Sequence, residues 1–275
     1  MIKTNSWIAG LTCLILATAA VAAPAAKFFT NEKASVLVCG GSMMNGNHFS
    51  DSSLAIMREH YAGCRKIALV LHPSLPRDRD RMEARLKEAF AHLGPFEVES
   101  LHHRDAKGQI ALLKSADGIF VGGGETFVLL AELYRTGQLQ VLRERTLAGI
   151  PYCGTSAGAN VAGLLIGTTN DFPVADIPTR NALGIFPAVI NPHHPAPAEK
   201  AEFAGRSGKI KGYLAFNPGE SVLALGNASF ARLHKGHVTF SVGLGWLYRE
   251  GSVRALSPGD SIDELIGREK STVAK

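Results

Sequence analysis

The chain is poor in cysteine, with four in 275 residues. One of them, Cys13, falls in an N-terminal apolar stretch. Without it Cys39, Cys64 and Cys153 remain, an odd number that excludes a full disulfide framework. Only a single bridge, Cys39 to Cys64, stays open in an oxidising compartment. Charged residues make up 19% of the chain, and 29 Lys and Arg stand against 24 Asp and Glu. The resulting +5 is not gathered into a basic run, so nucleic acid is not an expected partner. There is no internal repeat and no low-complexity linker, and with 46% hydrophobic residues the composition is that of a globular domain. The sequence has no His-Glu-x-x-His, Cys-x-x-Cys or Gly-x-Gly-x-x-Gly. Neither a metal nor a nucleotide cofactor is therefore expected. Beyond the first residues no apolar run is long enough to cross a bilayer.

The one long apolar run is Trp7 to Val21, preceded by Lys3 and ending in Ala20-Val21-Ala22. A positive start, a short apolar centre and a small-x-small end predict a cleaved signal peptide over 1–22. Gly10-Leu11-Thr12 before Cys13 is no lipobox. The reading is an exported protein, periplasmic or secreted, without a membrane anchor after cleavage and with one domain over 23–275.

From residue 35 onward apolar runs alternate with helical patterns. Val36 to Gly41, Lys66 to Leu71, Phe96 to His102, Asp117 to Val121 and Ile150 to Cys153 read as strands. Between them 49–61, 78–93, 105–114, 126–134 and 139–147 read as helices. This order predicts an α/β fold: a doubly wound, mostly parallel sheet with helices on both faces. Val222 to Gly226, Phe230 to His234 and Val238 to Val242 read as a small antiparallel set at the C-terminal end. Ligands belong at the carboxyl ends of the parallel strands.

Gly154-Thr155-Ser156-Ala157-Gly158 follows a buried strand and precedes a small-residue helix. That is the context of a nucleophile elbow, in which the serine Oγ stands free at the sheet edge. The amide of Ala157 then points at an oxyanion. The alternative is a tight turn with a helix-capping serine. Gly122-Gly123-Gly124-Glu125-Thr126 also links a strand to a helix, and one of its amides is a candidate second oxyanion donor. A nucleophilic serine needs a base. Two adjacent pairs stand out among ten histidines, His102-His103 and His193-His194. The second lies in a proline-bounded loop after an apolar run, and in extended backbone only one of the two faces the serine.

Four segments in order resemble peptidase E, the aspartyl dipeptidases, a family related to cyanophycinase. They are Val121-Gly122-Gly123-Gly124-Glu125-Thr126-Phe127, Gly154 to Asn160, Thr168-Thr169-Asn170-Asp171-Phe172-Pro173, and Ala182 to Pro187 leading into Ile190-Asn191-Pro192-His193. The resemblance spans about residues 35–245. It implies a fold like class I glutamine amidotransferases, and metal-free hydrolysis of dipeptides with N-terminal Asp through a Ser-His-Glu triad and an acyl-enzyme. By position, Ser156 is the implied nucleophile, His193 the base, and Gly124 with Ala157 the oxyanion hole. Asp171 is implied to hold the substrate's α-ammonium or the site itself, and Arg206 its acidic side chain, a role suited to a guanidinium.

Glu220, in Pro218-Gly219-Glu220-Ser221, is assigned as the acid that orients His193. Thr155 and Glu125 depart from peptidase E, which carries Trp and Asn there. Gly-Thr-Ser-Ala-Gly-Ala is closer to cyanophycinase, so an exopeptidase acting on β-Asp-Arg is the alternative, and a non-catalytic binding protein on the same fold the second. A glutamine amidotransferase would need Cys at the elbow. The expected partner is a small peptide substrate, with a homodimer open.

Overall fold

The computed structural model describes residues 31–268, so the leader expected over 1–22, with Cys13, lies outside the described residues. In chain order the elements begin with β1 (Ser35–Cys39), the short hairpin β2 (Met44–Asn45) and β3 (His48–Phe49), α1 (Asp51–His60) and β4 (Lys66–Val70). They continue with α2 (Arg79–Ala91), β5 (Glu97–Ser100), α3 (Ala106–Ser115), β6 (Gly118–Val121), α4 (Thr126–Arg135) and α5 (Gln138–Leu147). Next come β7 (Tyr152–Thr155), α6 (Ala157–Ala162), β8 (Val189–Asn191), α7 (Lys200–Phe216) and β9 (Val222–Leu225). Four strands close the chain: β10 (Phe230–His234), β11 (His237–Val242), β12 (Gly245–Arg249) and β13 (Ser252–Leu256).

The main sheet runs β11-β10-β1-β7-β6-β4-β5. The five strands from β1 to β5 in that order are parallel. β10 and β11 extend the sheet antiparallel beyond β1. Because strand side chains alternate, one sheet feeds two cores. Val36, Val38 and Val121 pack with Leu129, Leu130 and Leu142 of α4 and α5. Leu37, Leu69 and Phe120 pack on the other face with Met57 of α1 and Phe90 of α2. This is the expected mostly parallel α/β sheet with helices on both faces.

The C-terminal strands divide where a single set was expected. β10 and β11 join the main sheet, whereas β9 enters a second sheet, β13-β12-β9-β8. The alternation of β9 explains its place. Leu223 and Leu225 face the main core, while Val222 and Ala224 pack with Ile210 and Leu214 of α7. Two further details differ from the sequence reading. β7 runs on to Thr155, directly before the elbow. β5 stops at Ser100, and Leu101–His103 form a 3₁₀ turn. The open cysteine bridge is not formed. The Cys39 thiol lies 3.6 Å from the Gly41 carbonyl and the Cys64 thiol 3.2 Å from that of Asp117. Burial pushes these thiols up to about 12 and about 11.

Candidate active site

β7 delivers Ser156 at the carboxyl edge of the sheet, and α6 starts one residue later. Ser156 has φ 53° and ψ −112°, a backbone conformation that a side-chain-bearing residue adopts only under constraint. The constraint is visible. Its amide donates to the Cys39 carbonyl at 3.0 Å. A Cβ on Gly154 would stand 2.3 Å from the Gly158 carbonyl oxygen, and one on Gly158 would stand 2.3 Å from that of Val121. Both glycines are thus required by packing, which favours the elbow over a simple capping turn.

His193 meets the serine, with its Nε2 2.8 Å from Ser156 Oγ. Its backbone amide donates to the Gly40 carbonyl at 2.8 Å, with φ 55° at His193. His194 turns away from the serine, its direction set by the left-handed backbone at His193 and not by strand alternation. It is buried against Phe203 and Trp246, with Nε2 3.0 Å from the Tyr248 hydroxyl. Burial holds its imidazole below the ordinary value.

Glu220 is not the group that orients His193. Its Oε2 accepts a 2.5 Å hydrogen bond from the Tyr213 hydroxyl, which ties the turn before β9 back to α7. His193 Nδ1 instead lies 2.6 Å from Asn227 Oδ1. With Nδ1–H donating to that oxygen, Nε2 is left with the lone pair that can accept the serine proton. Asn227 sits in the turn between β9 and β10, and the sequence reading missed it because it sought an acid. The backbone aims it: the Ala228 amide donates to the Gly41 carbonyl at 2.7 Å. The segment Gly40–Gly41 therefore fastens the turns carrying both His193 and Asn227. A Cβ on Gly41 would fall 2.0 Å from His193 Cε1, and φ at Gly41 is 116°. Gly41→Ala should displace the imidazole and lower kcat by on the order of 10²-fold, since a shift of about 1 Å suffices for that. Steady-state kinetics with circular dichroism as a fold control checks it, and near-normal kcat would contradict the packing argument.

The glycine loop after β6 lies against the serine. A Cβ on Gly123 would stand 3.5 Å from Ser156 Oγ. Gly124, the next residue, has φ 135° and turns beside Pro73. The Ala157 amide opens α6 directly behind the nucleophile. Gly124, Ala157, Ser156 and His193 are thus gathered at one edge of the sheet.

Asp171 accepts from the Thr126 amide at 2.9 Å, from its hydroxyl at 2.5 Å and from the Thr169 hydroxyl at 3.3 Å. It is thereby fixed at the N-terminus of α4, beside Glu125, whose carboxylate caps the same helix through Val128 N at 2.7 Å. The other Glu125 oxygen is buried without a partner among the described residues. Burial first, then the Asp171 charge, raise the Glu125 carboxyl above its ordinary value of 4.5. A raised carboxyl binds more protons folded than unfolded, so its ionisation costs stability as pH rises past that value. Glu125→Gln should therefore raise Tm relative to the parent at pH 7, with the gain vanishing below about pH 4. Melting curves at the two pH values test this, and an equal gain at both would refute it.

Arg206, on α7, places Nη1 3.3 Å from both Asn191 Oδ1 and the Pro192 carbonyl. It lines a cavity of about 130 Å³ with Lys209, Thr169, Asn170, Asn191 and Tyr213. The Asn170 amide also donates to the Pro192 carbonyl at 3.1 Å, so the cavity abuts the residue before His193. Two cationic side chains give it the character of a carboxylate subsite.

Comparison with known proteins agrees with this geometry. The model of peptidase family S51 matches residues 36–240. A Streptomyces coelicolor peptidase E is 32% identical over 239 residues, covering 84% of this chain and 94% of its own. A Drosophila melanogaster protein named "Probable alpha-aspartyl dipeptidase" is 35% identical over 201 residues, 72% of this chain and 82% of its own. The crystal structure of a peptidase from an acI-B1 actinobacterium superposes with a TM-score of 0.64 at 16% identity. It covers 86% of this chain and 99% of that one, a likeness of fold.

Proposed function

The chain belongs to peptidase family S51 and is a serine peptidase, and on that premise we propose that it hydrolyses dipeptides whose N-terminal residue is aspartate. The observation that carries the mechanism is the 2.8 Å contact between His193 Nε2 and Ser156 Oγ at a strained elbow. His193 takes the serine proton, and Oγ attacks the peptide carbonyl. The amides of Gly124 and Ala157 hold the oxyanion. His193 then returns the proton to the leaving amine, and water hydrolyses the acyl-enzyme by the same route. Asn227 keeps the imidazole in the accepting tautomer. Asp171 and the neighbouring Glu125 supply negative charge for the substrate's α-ammonium, and an incoming cation offsets the Asp171 repulsion that adds to burial in raising the Glu125 carboxyl. Arg206 and Lys209 receive the aspartyl carboxylate.

The test is hydrolysis of Asp-Leu, Leu-Leu and a β-Asp-Arg substrate by residues 23–275. Cleavage of Asp-Leu alone is expected. Cleavage of β-Asp-Arg in its place would move the assignment to a cyanophycinase-type exopeptidase, and no cleavage at all would leave a binding protein. Arg206→Ala should raise KM for Asp-Leu about 10–100-fold, the worth of a charged hydrogen bond, while any residual turnover of Leu-Leu stays unchanged. Equal losses on both substrates would place Arg206 outside the side-chain subsite.

A further inference from the structure

We propose that Asp80, Glu83, His102 and His103 form a four-coordinate site for a divalent transition-metal ion of the zinc class, separate from the serine centre. No metal-ligand spacing marks it in sequence, because its halves lie on different elements. Asp80 and Glu83 are one helical turn apart near the start of α2 and share a face. His102 and His103 lie in the 3₁₀ turn after β5. In an extended strand their rings would point apart. In the turn the ring centroids are 4.0 Å apart, and both Nε2 atoms address the same two carboxylates.

His103 Nε2 is 2.5 Å from Glu83 Oε2 and 3.7 Å from Asp80 Oδ1. His102 Nε2 is 2.8 Å from Asp80 Oδ1 and 3.9 Å from Glu83 Oε2. All four ligand atoms fall within 4.8 Å of one another. The edges of a tetrahedron built on metal–ligand bonds of 2.0–2.1 Å are about 3.4 Å, inside the span of these four separations. Sub-ångström to ångström side-chain movements therefore convert the hydrogen-bonded set into a coordination sphere.

The surroundings suit that role. Glu83 is buried at 4% exposure, an unusual place for a carboxylate. Its second oxygen is held by the Ser100 amide at 3.1 Å and by Lys87 Nζ at 2.9 Å. His102 Nδ1 lies 2.6 Å from Ser100 Oγ, and that hydroxyl is 3.4 Å from the Leu69 carbonyl. With Ser100 donating to the carbonyl and accepting from Nδ1–H, an ion that takes the place of the proton between Nε2 and the carboxylates meets the Nε2 lone pair. That is the outer-shell arrangement that fixes a ligating histidine. Two imidazoles with two carboxylates select a zinc-class ion over magnesium or calcium, which favour oxygen alone.

The test is calorimetric titration of the chelator-treated protein with Zn²⁺, with Co²⁺ as a spectroscopic probe. One Zn²⁺ per chain with Kd below about 1 μM is expected, together with the intense visible bands of four-coordinate Co²⁺. Asp80 and His103 have side chains 83% and 52% exposed, so Asp80→Asn and His103→Ala leave the fold intact. Each should weaken Zn²⁺ at least about 100-fold without changing peptidase turnover. His92→Ala removes a ligand from the exposed group His48, Glu88 and His92 and should change nothing. Binding weaker than about 100 μM, unaltered binding by His103→Ala, loss of binding in His92→Ala, or a weak six-coordinate Co²⁺ spectrum would each overturn the assignment.

Discussion

Ser156→Ala is expected to lower kcat for Asp-Leu by on the order of 10⁴–10⁶-fold, because nucleophile and base act as a unit and removing either collapses the covalent route. KM should change little, since Ser156 is not among the groups that receive the substrate's charges. The stability of the variant should equal or exceed that of the parent. Ser156 has φ 53°, and whether serine or alanine occupies it, the strain is set by the glycine contacts around the elbow. A fluorophosphonate probe should label the parent on Ser156 only, and the alanine variant not at all. Retention of more than about a tenth of the activity, or labelling at another serine, would remove Ser156 as nucleophile.

The second large effect concerns Asn227. Asn227→Leu keeps the γ-branched shape with the same number of side-chain heavy atoms and deletes the oxygen 2.6 Å from His193 Nδ1. The imidazole then loses the partner that selects its tautomer, and kcat should fall by about 10³–10⁴-fold, the scale seen when a catalytic histidine is left in the wrong tautomer. Asn227→Asp restores an acceptor in the same position and adds a charge that stabilises the imidazolium formed during proton transfer. It should keep or raise kcat, whereas the leucine variant loses it. Glu220→Gln should leave turnover near normal, because Glu220 bonds Tyr213. If Glu220→Gln lost kcat by that factor while Asn227→Leu retained activity, the acid first assigned from the sequence would be restored.

An asparagine in this place has a distinctive physical consequence. A carboxylate can only accept from Nδ1–H, so it enforces one tautomer. An amide can present either its oxygen or its NH₂, and the wrong face would put a proton on Nε2 and block the serine. The neighbouring backbone fixes where that amide stands: the Ser229 hydroxyl donates to the Asn227 carbonyl at 3.2 Å, and the Ala228 amide is tied to Gly41. The turn is thus fixed on both sides of Asn227.

The features legible in sequence were local. Strand and helix periods, glycine punctuation and the Gly-x-Ser-x-Gly context determined the parallel α/β sheet and the elbow at Ser156, because each depends on residues within a few positions of one another. That one histidine of the 193–194 pair serves as the base was legible only through the resemblance to peptidase E, which implied His193. Asp171 was placed by a motif and Arg206 by the family resemblance alone; Arg206 bonds the Pro192 carbonyl, next to His193, and Asp171 the N-terminus of α4. The rest was decided by elements that meet only in three dimensions. Asn227 reaches His193 because β9 and β10 go to different sheets, and the turn between them passes over Gly41. Strand pattern alone cannot assign that partition, since all these strands alternate alike. His102 and His103 converge on Asp80 and Glu83 because Glu83 caps the end of β5 and the backbone turns where a continued strand would have parted them. Sequence determined which chemistry could be present; contacts between segments 20 to 40 residues apart, as in the Asn227–His193 and His103–Glu83 pairs, decided which side chains carry it out.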